Sequence, residues 1–279
     1  MSDTIQVRGQ SVKTFFCAVA IVAVVAGVTA SQAQMIDNFT ANDLANYDQT
    51  VVLAQGTDTP TPDTVFSWDS VNDALQVSRT TGTTPEQNVF LRGDYSLSVG
   101  GTLTANVLFT GPSTTTNTDF GIIVAAMTNP TPAIYSGANV DVRSNYALMY
   151  MKPGSTQVGD IAFDGHNQIS SNHSLPGGVT YSAVTGLWIS EPSSNVFNMG
   201  FTTAGTNYTY ASGVNFNSGA AGDNMMGDAV GFYADVRGPI ASPVELTDLQ
   251  IVPEPSTVAL IGAGLGFGAM LLRRKRNRV

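Results

Sequence analysis

A chain of 279 residues carrying 21 acidic side chains against 12 basic ones is long enough for one large β domain or two small ones. From Gln34 to Val252 the imbalance deepens to 19 carboxylates against five cations (Arg79, Arg92, Arg143, Lys152 and Arg237), a formal charge of −14. Binding phosphates needs clustered cations, so nucleic acid is excluded as a partner, whereas the acidity fits solubility outside the cell and loops that hold divalent cations.

The first 33 residues read as a secretory signal. Arg8 and Lys13 form a basic start, Phe15–Val28 is an apolar helix-forming run, and Ser31-Gln32-Ala33 supplies the small-x-Ala pattern that signal peptidases cut. Cleavage after Ala33 makes Gln34 the first mature residue, and Ala30 is the alternative site. The single cysteine, Cys17, lies inside the apolar run without the Leu-small-small residues that precede a lipidated cysteine. The mature chain then has no cysteine, and its core alone must hold it. About 220 residues suffice for that.

From Met35 to Ile251 the apolar residues recur with a period of two. Leu103, Ala105, Val107 and Phe109 alternate with Thr102, Thr104 and Asn106, and Val230, Phe232, Ala234 and Val236 alternate with Gly231, Tyr233 and Asp235. One face of such a strand is buried and the other wet. The same reading predicts strands over Val65–Trp68, Leu75–Arg79, Tyr95–Val99, Tyr146–Met151, Asp160–Phe163, Leu187–Ser190, Val196–Phe201, Tyr208–Ala211 and Val244–Ile251. Phe120–Met127 is apolar on both faces, which predicts a central strand packed on two sides or one under a long loop. Only Ala41–Tyr47 has room for a helical turn or two. Clusters such as Gly111-Pro112, Pro153-Gly154 and Pro176-Gly177-Gly178 punctuate the strands as turns.

Many modest strands with turn-rich links predict one all-β domain, an antiparallel β-sandwich spanning residues 34–252. Ile36-Asp37-Asn38-Phe39 and Glu245–Ile251 read as first and last strands that pair as neighbours. In this the chain resembles the concanavalin A-like (laminin G or glucanase-type) jelly roll.

Few residues promise chemistry. Glycoside hydrolysis needs two carboxylates about 5–10 Å apart. The resemblance to the glucanase branch would supply them in a Glu-x-Asp-x-x-Glu strand, but Glu86, Glu191, Glu245 and Glu254 do not fall in that spacing. Glu245 and Asp248 would point to opposite faces of a regular strand unless a bulge intervened. No Gly-x-Ser-x-Gly elbow is present. His166 and His173 with Asp164 lack compact metal-ligand spacing and read as loop residues. Calcium is the better-fitting cation, with Asp164 and Asn167, or Asp223 and Asp228, as weak oxygen ligands in loops; the plainer reading is that they cap turns and that no cofactor is required. Trp188, in the apolar stretch Gly186-Leu187-Trp188-Ile189, is expected in the core rather than as an exposed sugar-stacking ring. Tyr208 and Tyr210 share one strand face of undecided exposure.

The end of the chain is the most specific part. Pro253 and Pro255 block helix and central-strand pairing, so the fold must stop at Val252. Ser256-Thr257 can cap the helix beyond them, and Val258–Leu272 is 15 residues without a charge. As a helix that is roughly 22 Å, short for a hydrocarbon core of about 30 Å. Arg273, Arg274, Lys275, Arg276 and Arg278 then form a basic end that stays on the cytoplasmic side. Pro253-Glu254-Pro255, the short apolar helix and the Arg-rich end together resemble the PEP-CTERM sorting signal of Gram-negative and related bacteria. The resemblance implies recognition of Pro253, Glu254 and Pro255 by exosortase, a membrane protease. It also implies that residues 258–272 are a transient inner-membrane anchor and residues 273–278 a retention signal, both removed on processing. The expected product is an exported, non-catalytic cell-surface or matrix protein, structural or adhesive and associated with extracellular polysaccharide. The alternatives are a carbohydrate-binding module and, less supported, a glycan-acting enzyme.

Overall fold

The structure, a computed structural model, describes residues 32–54, 65–78, 86–109, 118–125, 146–152, 157–163, 172–175, 179–215, 229–236, 240 and 243–253. Two sheets face each other, and each strand pairing whose register is described is antiparallel. The first holds β1 (Gln34–Asp37), β3 (Phe66–Asp69), β4 (Ala74–Val77), β6 (Gly101–Phe109), β11 (Val184–Ser193), β12 (Val196–Thr203), β13 (Thr206–Asn215) and β15 (Val244–Pro253). The second holds β2 (Asp48–Ala54), β5 (Glu86–Arg92), β7 (Thr118–Ala125), β8 (Tyr146–Lys152), β9 (Gln157–Phe163), β10 (Asn172–Ser174) and β14 (Ala229–Val236). Their strand orders are β13-β12-β11-β6-β15-β4-β3, with β1 beside β15, and β10-β9-β8-β7-β14-β5-β2. The predicted antiparallel sandwich is present, and residues Ala33–Val252 form one compact unit.

The inward halves of the alternating strands make the core. Leu103, Ala105 and Val107 of β6, Leu187 and Ile189 of β11, and Phe197, Met199 and Phe201 of β12 meet Phe120, Ile122 and Val124 of β7 and Phe232 and Ala234 of β14. Each fully buried side chain of this size contributes about 1.5–3 kcal/mol. At one end five rings interlock. Tyr47 stacks on Phe90 with centroids 4.1 Å apart, Phe66 lies 5.1 Å from Phe90, and Phe39 lies 5.7 Å from Phe232.

Strand β7 is central, between β8 and β14, and both of its faces are buried. Its other face contributes Ile123 and Ala125 to a second apolar cluster with Val89, Leu91, Tyr146, Leu148, Tyr150 and Tyr233. Strand β1 pairs with β15 as predicted, Gln34 opposite Ile251. Tyr208 and Tyr210 do share a face; it is the inner one, where they are partly buried against Phe201.

In the assignment of strands the structure departs from the sequence reading at three points. Tyr95–Val99 is not a strand: a turn closes from Gly101 N–H to Ser98 O, with Gly100 at φ 79°, and only Leu97 of the segment is buried. Strands β2, β5 and β10 lie where the alternation is poor; in β5, Asn88 and Arg92 are buried beside Phe90. His173, expected in a loop, lies in β10 opposite Val158. The helical turn expected within Ala41–Tyr47 is present, as the single 3-10 turn Leu44–Asn46. The predicted signal helix and apolar C-terminal helix lie outside the described residues, among which no helix is long and apolar enough to cross a membrane.

Candidate functional site

The sorting segment emerges from β15. That strand reaches Pro253, one residue past the predicted stop, and Pro253, with no N–H to donate, closes the ladder. Because β1 runs antiparallel beside it, Gln34 sits opposite Ile251, two residues before Pro253. The expected start of the mature chain and the start of the sorting motif thus lie side by side on one sheet. Val252 and Pro253 are only partly buried. Glu254, Pro255 and the basic residues Arg273, Arg274, Lys275, Arg276 and Arg278 lie outside the described residues.

The bulge that would bring Glu245 and Asp248 to one face is present. Core residues of β15 are Val244 and Leu246, then Leu249 and Ile251, so the alternation slips by one residue at Thr247-Asp248. Asp248 takes a left-handed backbone at φ 52°, and its Oδ2 accepts from Asn106 Nδ2 at 2.7 Å. Glu245, almost fully buried, accepts from Asn72 Nδ2 at 3.0 Å and Gln76 Nε2 at 3.5 Å. Burial, then the hydrogen bond that its protonated carboxyl donates to neighbouring Asp69, pushes Glu245 above its ordinary range; Asp69 is held below its own, chiefly by the Val71 amide. These bonds tie the β3–β4 turn to the last strand.

A second carboxylate pair is illegible in the sequence. Asp119 of β7 and Asp235 of β14 are direct cross-strand partners although 116 residues separate them. Side chains so placed have Cβ atoms about 4.5–5.5 Å apart, within the range that glycosidases use. Both are buried, and so are Tyr233, Tyr150 and Tyr146 on the same face. Burial, and then the charge of Asp235, pushes the Tyr233 phenol far up.

Arg92 belongs to a structural knot. Its guanidinium grips both Asp94 oxygens, at 2.8 and 2.7 Å, and lies 5.3 Å over the Tyr47 ring and 4.8 Å from the Tyr95 ring centroid. Tyr47 donates to Asp37 Oδ2 at 3.0 Å, and Phe39 N–H donates to Asp37 Oδ1 at 2.7 Å. Burial still carries the Asp37 carboxyl upward against these two bonds.

Trp188 is not in the core. Leu187 and Ile189 point inward, and Trp188 lies between them on the outer face, partly buried, with its indole across Gly200. A Cβ at Gly200 would clash with Cζ2 and Cε2 of that indole and with the Tyr208 carbonyl oxygen. The apolar neighbours that suggest a core position belong to the other face of the strand.

The weak metal candidates Asp164, Asn167, Asp223 and Asp228 lie outside the described residues, as does His166. Among the described residues no group of three or more His, Cys, Asp or Glu is placed to hold a metal ion.

Compared with protein families, residues 252–276 match the PEP-CTERM protein-sorting motif. No curated protein matches the chain. Among solved structures, a Bacillus subtilis protein of unknown function with a galectin-like fold is similar at a TM-score of 0.51 and 9% identity, over 81% of this chain and 97% of that one. Lectin I-B4 from Griffonia simplicifolia, in metal-free form, gives 0.45 at 11% identity, over 79% of this chain and 98% of the other. An endo-1,3-beta-glucanase from Streptomyces sioyaensis gives 0.46 at 12% identity, over 79% and 96%. Of the three, the first speaks for the fold, and for the fold alone. The motif implies export and sorting at a membrane. The chain carries a PEP-CTERM protein-sorting motif that begins at the end of the last strand of a jelly-roll β-sandwich.

Proposed function

We propose that the chain is a non-catalytic cell-surface or extracellular-matrix protein, delivered through exosortase and acting structurally or adhesively with extracellular polysaccharide. The observation that carries this reading is the match of residues 252–276 to the sorting motif, placed where β15 ends at Pro253. The pairing of β15 with β1 reaches Ile251 and goes no further. The non-catalytic part of the reading is supported by the burial of Asp119 and Asp235.

Replacing Pro253, Glu254 and Pro255 by alanine in an exosortase-bearing host is expected to leave the full-length chain in the membrane fraction. Processing at the wild-type rate would contradict exosortase handling. Release of sugars from a polysaccharide panel by the wild-type chain would contradict the non-catalytic reading.

A further inference from the structure

We propose that the outer face of the eight-stranded sheet around Trp188 binds a neutral polysaccharide, with a pyranose ring stacking on the indole; this deepens the reading above and rests on it. The register lays out the platform in rows across β6, β11, β12 and β13. Thr104, Trp188, Gly200 and Thr209 form the middle row. Asn106, Gly186, Thr202 and Asn207 flank it on one side, and Thr102, Ser190 and Asn198 on the other. A flat ring thus sits amid hydroxyls, amides and glycines with no charged side chain in the three rows.

Two physical arguments point to a neutral glycan. The first is the state of the indole. Trp68 has its Nε1–H donated to Phe39 O at 2.7 Å, as a tryptophan serving the fold should. Trp188 Nε1 and Thr104 Oγ1, on directly opposed residues, are buried with no hydrogen-bond partner. An unmet buried donor costs about 1–3 kcal/mol, and the ring keeps its place by packing across Gly200. A core residue would gain apolar burial in return; a ring on the outer face gains it only when something covers it. The second argument is charge. With −14 over residues 34–252, acidic polymers are repelled at long range, and cationic ones find no carboxylate within the three rows. Saccharide CH faces stack on indole, and the surrounding Thr, Ser and Asn groups can exchange hydrogen bonds with ring hydroxyls.

The test uses the full chain in a non-glycosidic detergent, titrated with a soluble β-1,3-glucan, a β-1,4-mannan, a dextran and alginate. Binding is followed by calorimetry and by fluorescence of the chain's two tryptophans. At least one neutral polymer is expected to bind and to change the emission, and alginate is not. Trp188→Ala is expected to weaken that binding by at least about tenfold, equivalent to about 1.4 kcal/mol, while Trp188→Phe keeps most of it. Thr209→Glu, at an exposed position in the same row, should weaken it as well and tests the face without touching the ring. No neutral polymer bound, preference for alginate, or variants binding like wild type would overturn the proposal. Such a result would leave membrane sorting untouched, because the processing of residues 253–255 is measured separately.

Discussion

Phe39 has a fully buried side chain on a left-handed backbone, φ 55°. A bulky residue there costs about 1–3 kcal/mol unless its surroundings dictate the conformation. They do: Asp37 captures its N–H, Trp68 donates to its carbonyl, and its ring packs at Phe232. Trp68→Phe keeps the apolar volume and removes the bond to Phe39 O. It is expected to lower stability by about 1–2 kcal/mol, read as a shift of the urea midpoint at unchanged slope. An unchanged midpoint would mean that ring packing alone holds Phe39. The sequence shows Trp68 at the end of a strand, yet nothing near it in sequence indicates a partner 29 residues away. Trp188 departs from its expected core position for a related reason. Apolar neighbours at i±1 belong to the opposite face of a strand, so Leu187 and Ile189 argue against a buried Trp188, not for one.

Strand β15 shows what is legible at the scale of elements. Its pairing with β1 and its end at the Pro-Glu-Pro segment come from alternation and from proline chemistry, and both are found. The bulge is open in the sequence reading, and the structure supplies it: Val244 and Leu246 are two apart, Leu246 and Leu249 three, and that odd step holds one extra residue. Asp248 occupies the position with φ 52° and is held by Asn106. Asp248→Asn, which tolerates the left-handed region, should be close to neutral. Asp248→Val should cost about 1–2 kcal/mol, since β-branched residues avoid it. Equal thermal midpoints for the two variants would show that the backbone there is not constrained. What alternation cannot supply is which strands become neighbours. The meeting of Asp119 with Asp235, and of Asp69 with Glu245, depends on sheet order, and sheet order leaves no local trace in the chain.

For the whole molecule, charge and burial act together on stability. Burial raises the carboxyl pKa values of Asp37, Glu191 and Glu245, so the folded chain binds their protons at higher pH than the unfolded chain does. Their contribution is fully present below the unfolded values near 4 and is lost as pH rises through the folded ones. Asp69 and Asp94 are lowered and act oppositely, stabilising above about 4 and losing that contribution as pH falls further. Self-repulsion from the acidic surplus also eases on mild acidification. Thermal midpoints should therefore be higher near pH 5 than near pH 8, and salt should narrow the gap without closing it, because buried carboxyls are poorly screened. A midpoint that rises steadily to pH 8 would contradict this. Such a sandwich, acidic, free of cysteine once the signal is cut and bearing three rows of uncharged side chains around Trp188, with Asp248 at their border bound by Asn106, suits delivery to a polysaccharide-rich exterior. Everything depends on the tail being an address that is read and removed. The most direct test is the intact mass of the chain recovered outside an exosortase-bearing host. The wild-type species should begin at Gln34 and lack residues 258–279, and the variant with alanine at 253–255 should stay with the membrane at full C-terminal length. A released wild-type species that retains residues 258–279 would contradict the account.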